Sequence, residues 1–219
     1  MPVDDALDIA RRQPANDATI EGCSSPARRT AVTLPTPPWE DDDPAWPVRE
    51  EVVAWETPFC ETGYDVVERP DGTEGEYYWL ASADAAAVIA LTESGELVLV
   101  EQYRPRYRQR SLGLPGGFVE DGEDPATAAG RELREETGFV AEDLSHLETH
   151  TLSPWTRYLR HVFVADGLER AEPDPDDGEF IDVVTVPADE AIDRLRDREG
   201  PSKGITLTAL LLAREEGLL

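Results

Sequence analysis

The stretch from Gly117 to Phe139, GFVEDGEDPATAAGRELREETGF, constrains this chain more tightly than any other part of it. Pro125 stands where a helix starts and Gly138 where one stops, and Ala128, Leu133 and Thr137 recur at the spacing of one apolar face. A helix of about three turns is therefore expected. On it, Glu132, Glu135 and Glu136 fall at i, i+3 and i+4, which puts three carboxylates on one side. Like charges at that spacing repel and weaken an isolated helix, so their grouping calls for a cation, and hard oxygen donors favour magnesium or manganese. A solvated acidic stripe would account for the glutamates alone. Immediately upstream, however, Gly113-Leu114-Pro115-Gly116-Gly117 supplies a backbone whose glycines can approach a ligand closely, and Glu123 leads from it into the helix. Loop and carboxylates read as one site.

The rest of the chain supplies strands to carry that site. Residues 1–45 hold SSPARRT, LPTPP and WEDDDPAWP, rich in Pro, Ser and Asp without periodicity, and read as an acidic, Pro-rich arm. Residues 46–219 read as one domain. In it, EEVVAWETPF and YDVVERPDGTEGEYYWLA favour strands, with Pro70-Asp71-Gly72 turning a hairpin. AAAVIAL and ELVLVEQY form an apolar pair reversed at Gly95, and LETHTLS, YLRHVFVAD and EFIDVVTVP read as further strands. ADEAIDRLRDRE and ITLTALLLAREEG have helical spacing. Strands interleaved with few helices indicate an α/β class and a mixed sandwich.

Composition narrows the partners. Against 20 Lys and Arg the chain carries 47 Asp and Glu, a net charge of −27, and this excess runs along nearly its whole length. Such a surface repels phosphate backbones, so no nucleic-acid partner is expected. At molar salt the Debye length shrinks to about 3 Å and self-repulsion is tolerated, which points to a halophilic chain working in a salt-rich cytoplasm. Two cysteines, Cys23 and Cys60, cannot build a disulfide framework. The start PVDDALDIARRQPAND has no basic, apolar leader, and no run approaches the ~18 apolar residues of a spanning helix, so no membrane partner is expected either.

The glycine and glutamate stretch is similar to the Nudix box, G-x5-E-x7-R-E-U-x-E-E-x-G-U with U a bulky apolar residue. It matches at Gly117, Glu123, Arg131, Glu132, Leu133, Glu135, Glu136 and Gly138. Phe139 replaces the commoner aliphatic residue, at a position expected to pack under the helix. The resemblance implies an α/β/α sandwich in which Glu132, Glu135 and Glu136, with Gly116 of the loop, form the metal site. Arg131 would orient a glutamate by ion pairing, while Glu123, Gly117 and Gly138 shape the loop. Divalent metals polarise phosphoryl oxygens and acidify bound water, which suits hydrolysis of a phosphoanhydride.

Two features outside the box resemble the ADP-ribose pyrophosphatase branch. Arg104 ends the strand before the loop and offers a planar fork of donors to phosphate oxygens. Pro154, in SPWTRY, stands where a proline marks that subgroup. The resemblance implies attack of water on ADP-ribose to give AMP and ribose 5-phosphate, with Glu179 of PDPDDGEFIDV as general base and a homodimer as the assembly. Trp55 or Tyr64 would stack adenine. Hydrolysis of NADH, of other nucleotide sugars or of oxidised nucleoside triphosphates is the alternative, although NADH enzymes of the family carry a longer SQPWPFP signature. A non-catalytic nucleotide sensor would commonly have lost box carboxylates that are all present here. No P-loop or dinucleotide-binding glycine fingerprint occurs, and His146 and His150 read as structural.

Overall fold

The computed structural model describes residues 35, 37–40, 43–172, 180–197 and 204–219. Its centre is the segment Ala85–Ala90, β4, whose six residues are all buried. A run of AAAVIA without polar alternation is what a strand covered on both faces requires. The strand Leu159–Arg170, β9, lies parallel to β4, and Phe139–Thr151, β7, lies antiparallel to β9, so this three-stranded sheet is mixed. A second sheet has the order β10-β5-β6, from Glu96–Arg104 (β5), Gln109–Gly113 (β6) and Ile181–Pro187 (β10), antiparallel throughout.

The two faces of β4 go to different helices. Ala86, Val88 and Ala90 pack with Ala128, Ala129 and Leu133 of the helix Pro125–Thr137, α1. Ala87 and Ile89 face the other way, joining Ala191 and Leu195 of Ala191–Arg196 (α2) and Ala209, Leu210 and Ala213 of Gly204–Glu215 (α3) in a second core. Helices therefore cover the sheets from both sides, the α/β/α sandwich expected.

Helix α1 begins and ends as its sequence requires. The Asp124 carboxylate caps the amides of Ala126 and Thr127 at 3.2 and 3.1 Å, and Pro125 follows at the first turn, where it forfeits no helical bond. Gly138 closes the helix at φ 68°, a left-handed conformation that glycine adopts without Cβ strain, and its amide donates to the Arg134 carbonyl. Phe139 is buried beneath α1 in the same core as Leu133, as its place under the helix anticipated.

A four-stranded sheet, β1-β2-β3-β8, flanks this body: Val48–Glu56 (β1), Glu61–Glu68 (β2), Glu74–Ala81 (β3) and Thr156–Arg157 (β8). Gly72, at φ 80°, turns the expected β2–β3 hairpin. Some details differ from the sequence reading. β4 and β5 do reverse at Gly95, φ 77°, but they join different sheets and share only the isolated bridge Leu91–Leu97. A turn specifies that a chain doubles back, and the partners of a doubly covered strand are set by longer-range packing. β7 starts directly after Gly138, earlier than expected, and α2 spans only six residues. Among the described residues no helix is long and apolar enough to cross a membrane.

Leu133, fully buried between α1 and the mixed sheet, is the lever that fixes the helix's height on the sheet. Leu133→Ala is expected to destabilise the fold by about 2–5 kcal/mol, read as a lower urea midpoint at unchanged slope.

Candidate active site

The box loop runs along the free edge of β4. The amides of Ala86 and Val88 donate to the carbonyls of Gly117 and Pro115, both at 2.9 Å, and the Val119 amide donates to the Asp84 carbonyl. Two glycines are indispensable to this approach. Gly116 has φ 147°, and a Cβ there would lie 2.1 Å from the Ala86 carbonyl oxygen. A Cβ at Gly117 would lie 2.2 Å from a Glu132 carboxylate oxygen, so the missing methyl leaves the space that this carboxylate occupies.

Arg131 gathers the acidic residues. Its Nε and Nη2 donate to the two oxygens of Glu123, each at 3.1 Å, and Nη2 also reaches the Phe118 carbonyl at 2.9 Å. Nη1 donates to Glu132 at 2.9 Å and to Glu135 at 3.0 Å. One guanidinium thus ties the loop to the helix and holds two carboxylates side by side. Glu123 in turn accepts the Glu120 amide at 3.1 Å, so it braces the loop from inside. Burial by itself would raise the Glu123 carboxyl, but the bonds from Arg131 and the Glu120 amide outweigh it and hold the group below the usual glutamate value. The same contacts push the Arg131 guanidinium further up.

Glu136 is buried, and its carboxylate accepts the Gly116 amide at 2.7 Å, a second tie between helix and loop. Among the described residues no three acidic, histidine or cysteine side chains converge closely enough to hold an ion as they lie. Glu132 and Glu135 are drawn onto Arg131, and Glu136 is drawn onto the loop. The residues nonetheless suit a hard divalent cation. Their donors are anionic oxygens, the Glu132 and Glu135 side chains keep only 13% and 16% of their exposure, and the Gly117 backbone leaves the Glu132 carboxylate its space.

The other residues singled out in the sequence are dispersed. Arg104 ends β5 partly buried, with no ion-pair partner among the described residues. Pro154 lines a cavity of about 310 Å³ with Trp39, Tyr78, Trp79, Trp155 and Arg157 at the flanking sheet. Trp55 and Tyr64 do not line that cavity. Trp55 is 59% exposed on β1, and Tyr64 packs against Tyr78 with ring centroids 5.4 Å apart. Glu179, with Asp176 and Asp177, lies outside the described residues.

Sequence reasoning passed over Arg157, which bonds Asp65 and Glu51 and stacks 4.4 Å over the Trp79 ring whose Nε1 also donates to Asp65. The interleaving of Trp and Arg in SPWTRY was its one visible signal. His146 is structural, bonding Thr149 at 2.8 Å and meeting Phe163 edge-on.

Removing the Arg131 guanidinium leaves clustered carboxylates unscreened, so Arg131→Gln is expected to cost on the order of 2 kcal/mol at neutral pH. The depressed Glu123 contributes stability that is complete above the unfolded value of 4.5 and lost as pH falls through the lower folded value. Urea midpoints at neutral pH and below that value are expected to diverge less in Arg131→Gln than in the parent. Equal divergence would refute the assignment.

Comparisons with known proteins identify the family. The NUDIX domain family matches residues 81–207. The methanol dehydrogenase activator of Bacillus methanolicus is 33% identical over 157 residues, covering 70% of this chain and 85% of that protein. The ADP-ribose pyrophosphatase of Bacillus subtilis (strain 168) is 33% identical over 136 residues, covering 61% and 74%. A crystal structure of an ADP compounds hydrolase superposes with TM-score 0.71 at 22% identity, over 82% of this chain and all of that one, a likeness of fold. A matched box whose loop, arginine and glutamates are mutually bonded, within a family match covering more than half the sequence, makes this chain a Nudix hydrolase.

Proposed function

We propose that the protein hydrolyses the pyrophosphate of ADP-ribose, giving AMP and ribose 5-phosphate, with Mg2+ or Mn2+ at Glu132, Glu135, Glu136 and the backbone of Gly116. The observation that carries this reading is the Arg131 guanidinium holding Glu123, Glu132 and Glu135 together beside a glycine that leaves room for the Glu132 carboxylate. Members of the family generally work with divalent ions, and a relative bearing the name ADP-ribose pyrophosphatase supports the substrate.

A divalent cation at this site would supply Lewis acidity to a phosphoryl oxygen and acidify a water. The chain's own residues do the rest. Arg131 holds Glu132 and Glu135 side by side next to the loop, and the two carboxylates would turn from the guanidinium toward a cation as it binds. Glu136 clamps the Gly116 amide, keeping the loop against the helix. Arg104 is our phosphate contact, and Glu179 our candidate to take the proton from attacking water. Water's oxygen forms the new P–O bond as the bridging P–O bond breaks, and the released phosphate carries away the electron pair. The surrounding assignments are proposals of the same kind: a cytoplasmic homodimer with residues 1–45 as an acidic arm, Pro154 beside the bound nucleotide, and a surface adapted to concentrated salt.

A substrate panel of ADP-ribose, NADH, other nucleotide sugars and oxidised nucleoside triphosphates, resolved by chromatography, tests the reading. ADP-ribose is expected to give the highest kcat/KM, with activity lost in chelator and restored by Mg2+ or Mn2+. Glu136→Gln is expected to lose about a hundred-fold or more in turnover, the scale of a cation's several kcal/mol of charge stabilisation. Full turnover in that variant would remove Glu136 from the site.

With a net charge of −27, self-repulsion weakens as the Debye length falls from about 10 Å at 0.1 M to about 3 Å at 1 M salt. Tm is therefore expected to climb steadily across a potassium chloride series. A flat series would sink the salt-adaptation proposal.

A further inference from the structure

In a chain with 47 acidic residues, carboxylates are plentiful as partners for arginine. Arg131 and Arg157 each have at least two. Arg104 and Arg160 are partly buried too, yet among the described residues neither side chain has a hydrogen bond or an ion pair. Arg160 is the more telling. It sits near the start of β9, opposite Ala85 of β4 on one side and His150 of β7 on the other. Its Nε is wholly buried and unpartnered, and so is the Nε2 of His150.

Directly opposed residues of neighbouring strands share a face, so the side chains of His150 and Arg160 project from the same side of the sheet. The row continues across the sheet: His150, Arg160, Ala85, and then Phe118 of the box loop, which bridges to Ala85. Strands lie about 4.8 Å apart, which puts the backbone of Arg160 about 10 Å from that of Phe118, with one alanine between them. The residue as a whole remains partly exposed, so a ligand has access to it.

Among the described residues no hydrogen bond or ion pair compensates the Arg160 side chain. A buried donor left unsatisfied opposes folding, and a buried charge without a partner does so more strongly. Burial pushes the Arg160 guanidinium below its ordinary value; Tyr158 partly restores it, and the positive charge of Arg104 depresses it again. Two cations near each other, with no ion-pair partner among the described residues and with His150 opposite Arg160 on the next strand, complement an incoming group with several anionic oxygens. Phosphoryl oxygens match a guanidinium fork in both charge and geometry.

We propose that Arg160 and His150, with Arg104 contributing charge, form a phosphoryl-binding site one strand away from the box loop, and that this site seats a phosphate of the nucleotide substrate. The second half rests on the reading of the enzyme as a pyrophosphohydrolase. Arg160 is in this view a binding residue, and the fold tolerates its desolvation because the bound state satisfies it.

The test uses the full chain and inorganic pyrophosphate as probe, titrated calorimetrically in chelator so that no metal carries the binding. Arg160→Gln is expected to weaken pyrophosphate about ten-fold or more, the loss of one charge-assisted bond, and Arg160→Lys to recover part of it. With ADP-ribose, Arg160→Gln is expected to raise KM by a similar factor while kcat changes little. Arg160→Leu supplies a readout that a merely structural arginine would not produce: without ligand its Tm is expected to match or exceed the parent's, since the desolvated charge is gone, and pyrophosphate is expected to raise its Tm less. Pyrophosphate binding unchanged in Arg160→Gln, or absent from the parent, would overturn the proposal, as would an Arg160→Leu chain that melts earlier and responds fully to the probe. If pyrophosphate binding depends on Arg160 but the parent leaves ADP-ribose intact, the phosphoryl site stands and the substrate reading falls.

Discussion

The structure around the candidate active site depends on one planar cation. Arg131 has donors on three sides of a rigid fork, and it uses them on Glu123, Glu132, Glu135 and the Phe118 carbonyl. A lysine could not make the same bonds, because a single ammonium on a flexible stem cannot address a loop and two helical turns together. Without that cation, three glutamates on one helical face would repel one another and the preceding loop would have little to hold it. The loop matters because it lies against β4, the strand buried by helices on both faces. The geometry of the candidate site and the core packing are thus joined through a few backbone hydrogen bonds.

The protein works against a large negative charge, and its cations are placed accordingly. Arg131 and Arg157 are spent on carboxylates at the box and on the flanking sheet. Among the described residues Arg104 and Arg160 have no such partner, and a desolvated cation is a cost to folding unless a ligand offsets it. Sites of this kind commonly carry local unfavourable arrangements that the rest of the fold sustains. The doubly packed core behind β4, with Ile89 and Val88 fully buried on its two faces, is what sustains this one.

Much of the local structure was legible before any coordinates. Asp124, Pro125 and Gly138 bounded α1 because capping depends on nearest neighbours. Gly72 and Gly95 marked reversals for the same reason. The helical spacing of Glu132, Glu135 and Glu136 was correct, but their rotamers were not available from spacing, since Arg131 and the Gly116 amide compete for the carboxylates. Pro154 was read as a substrate neighbour, and its place beside a cavity with Trp39, Trp79 and Trp155 could not be seen from local pattern. That His150 stands opposite Arg160 was not visible either, because the two are paired across strands ten residues apart in the chain.

By itself, the sequence determined the helix, its caps, the turns and the carboxylate face, because each follows from interactions between residues within about a turn of one another. It also determined the excess of negative charge, which is a sum and needs no geometry. Only the tertiary structure decided which sheets β4 and β5 join, that Gly117 is vacant for Glu132, and that Arg160 stands opposite His150 in the strand register. Those outcomes depend on register between strands far apart in the chain. Register is set by the simultaneous burial of several faces, a condition that no single stretch of residues contains.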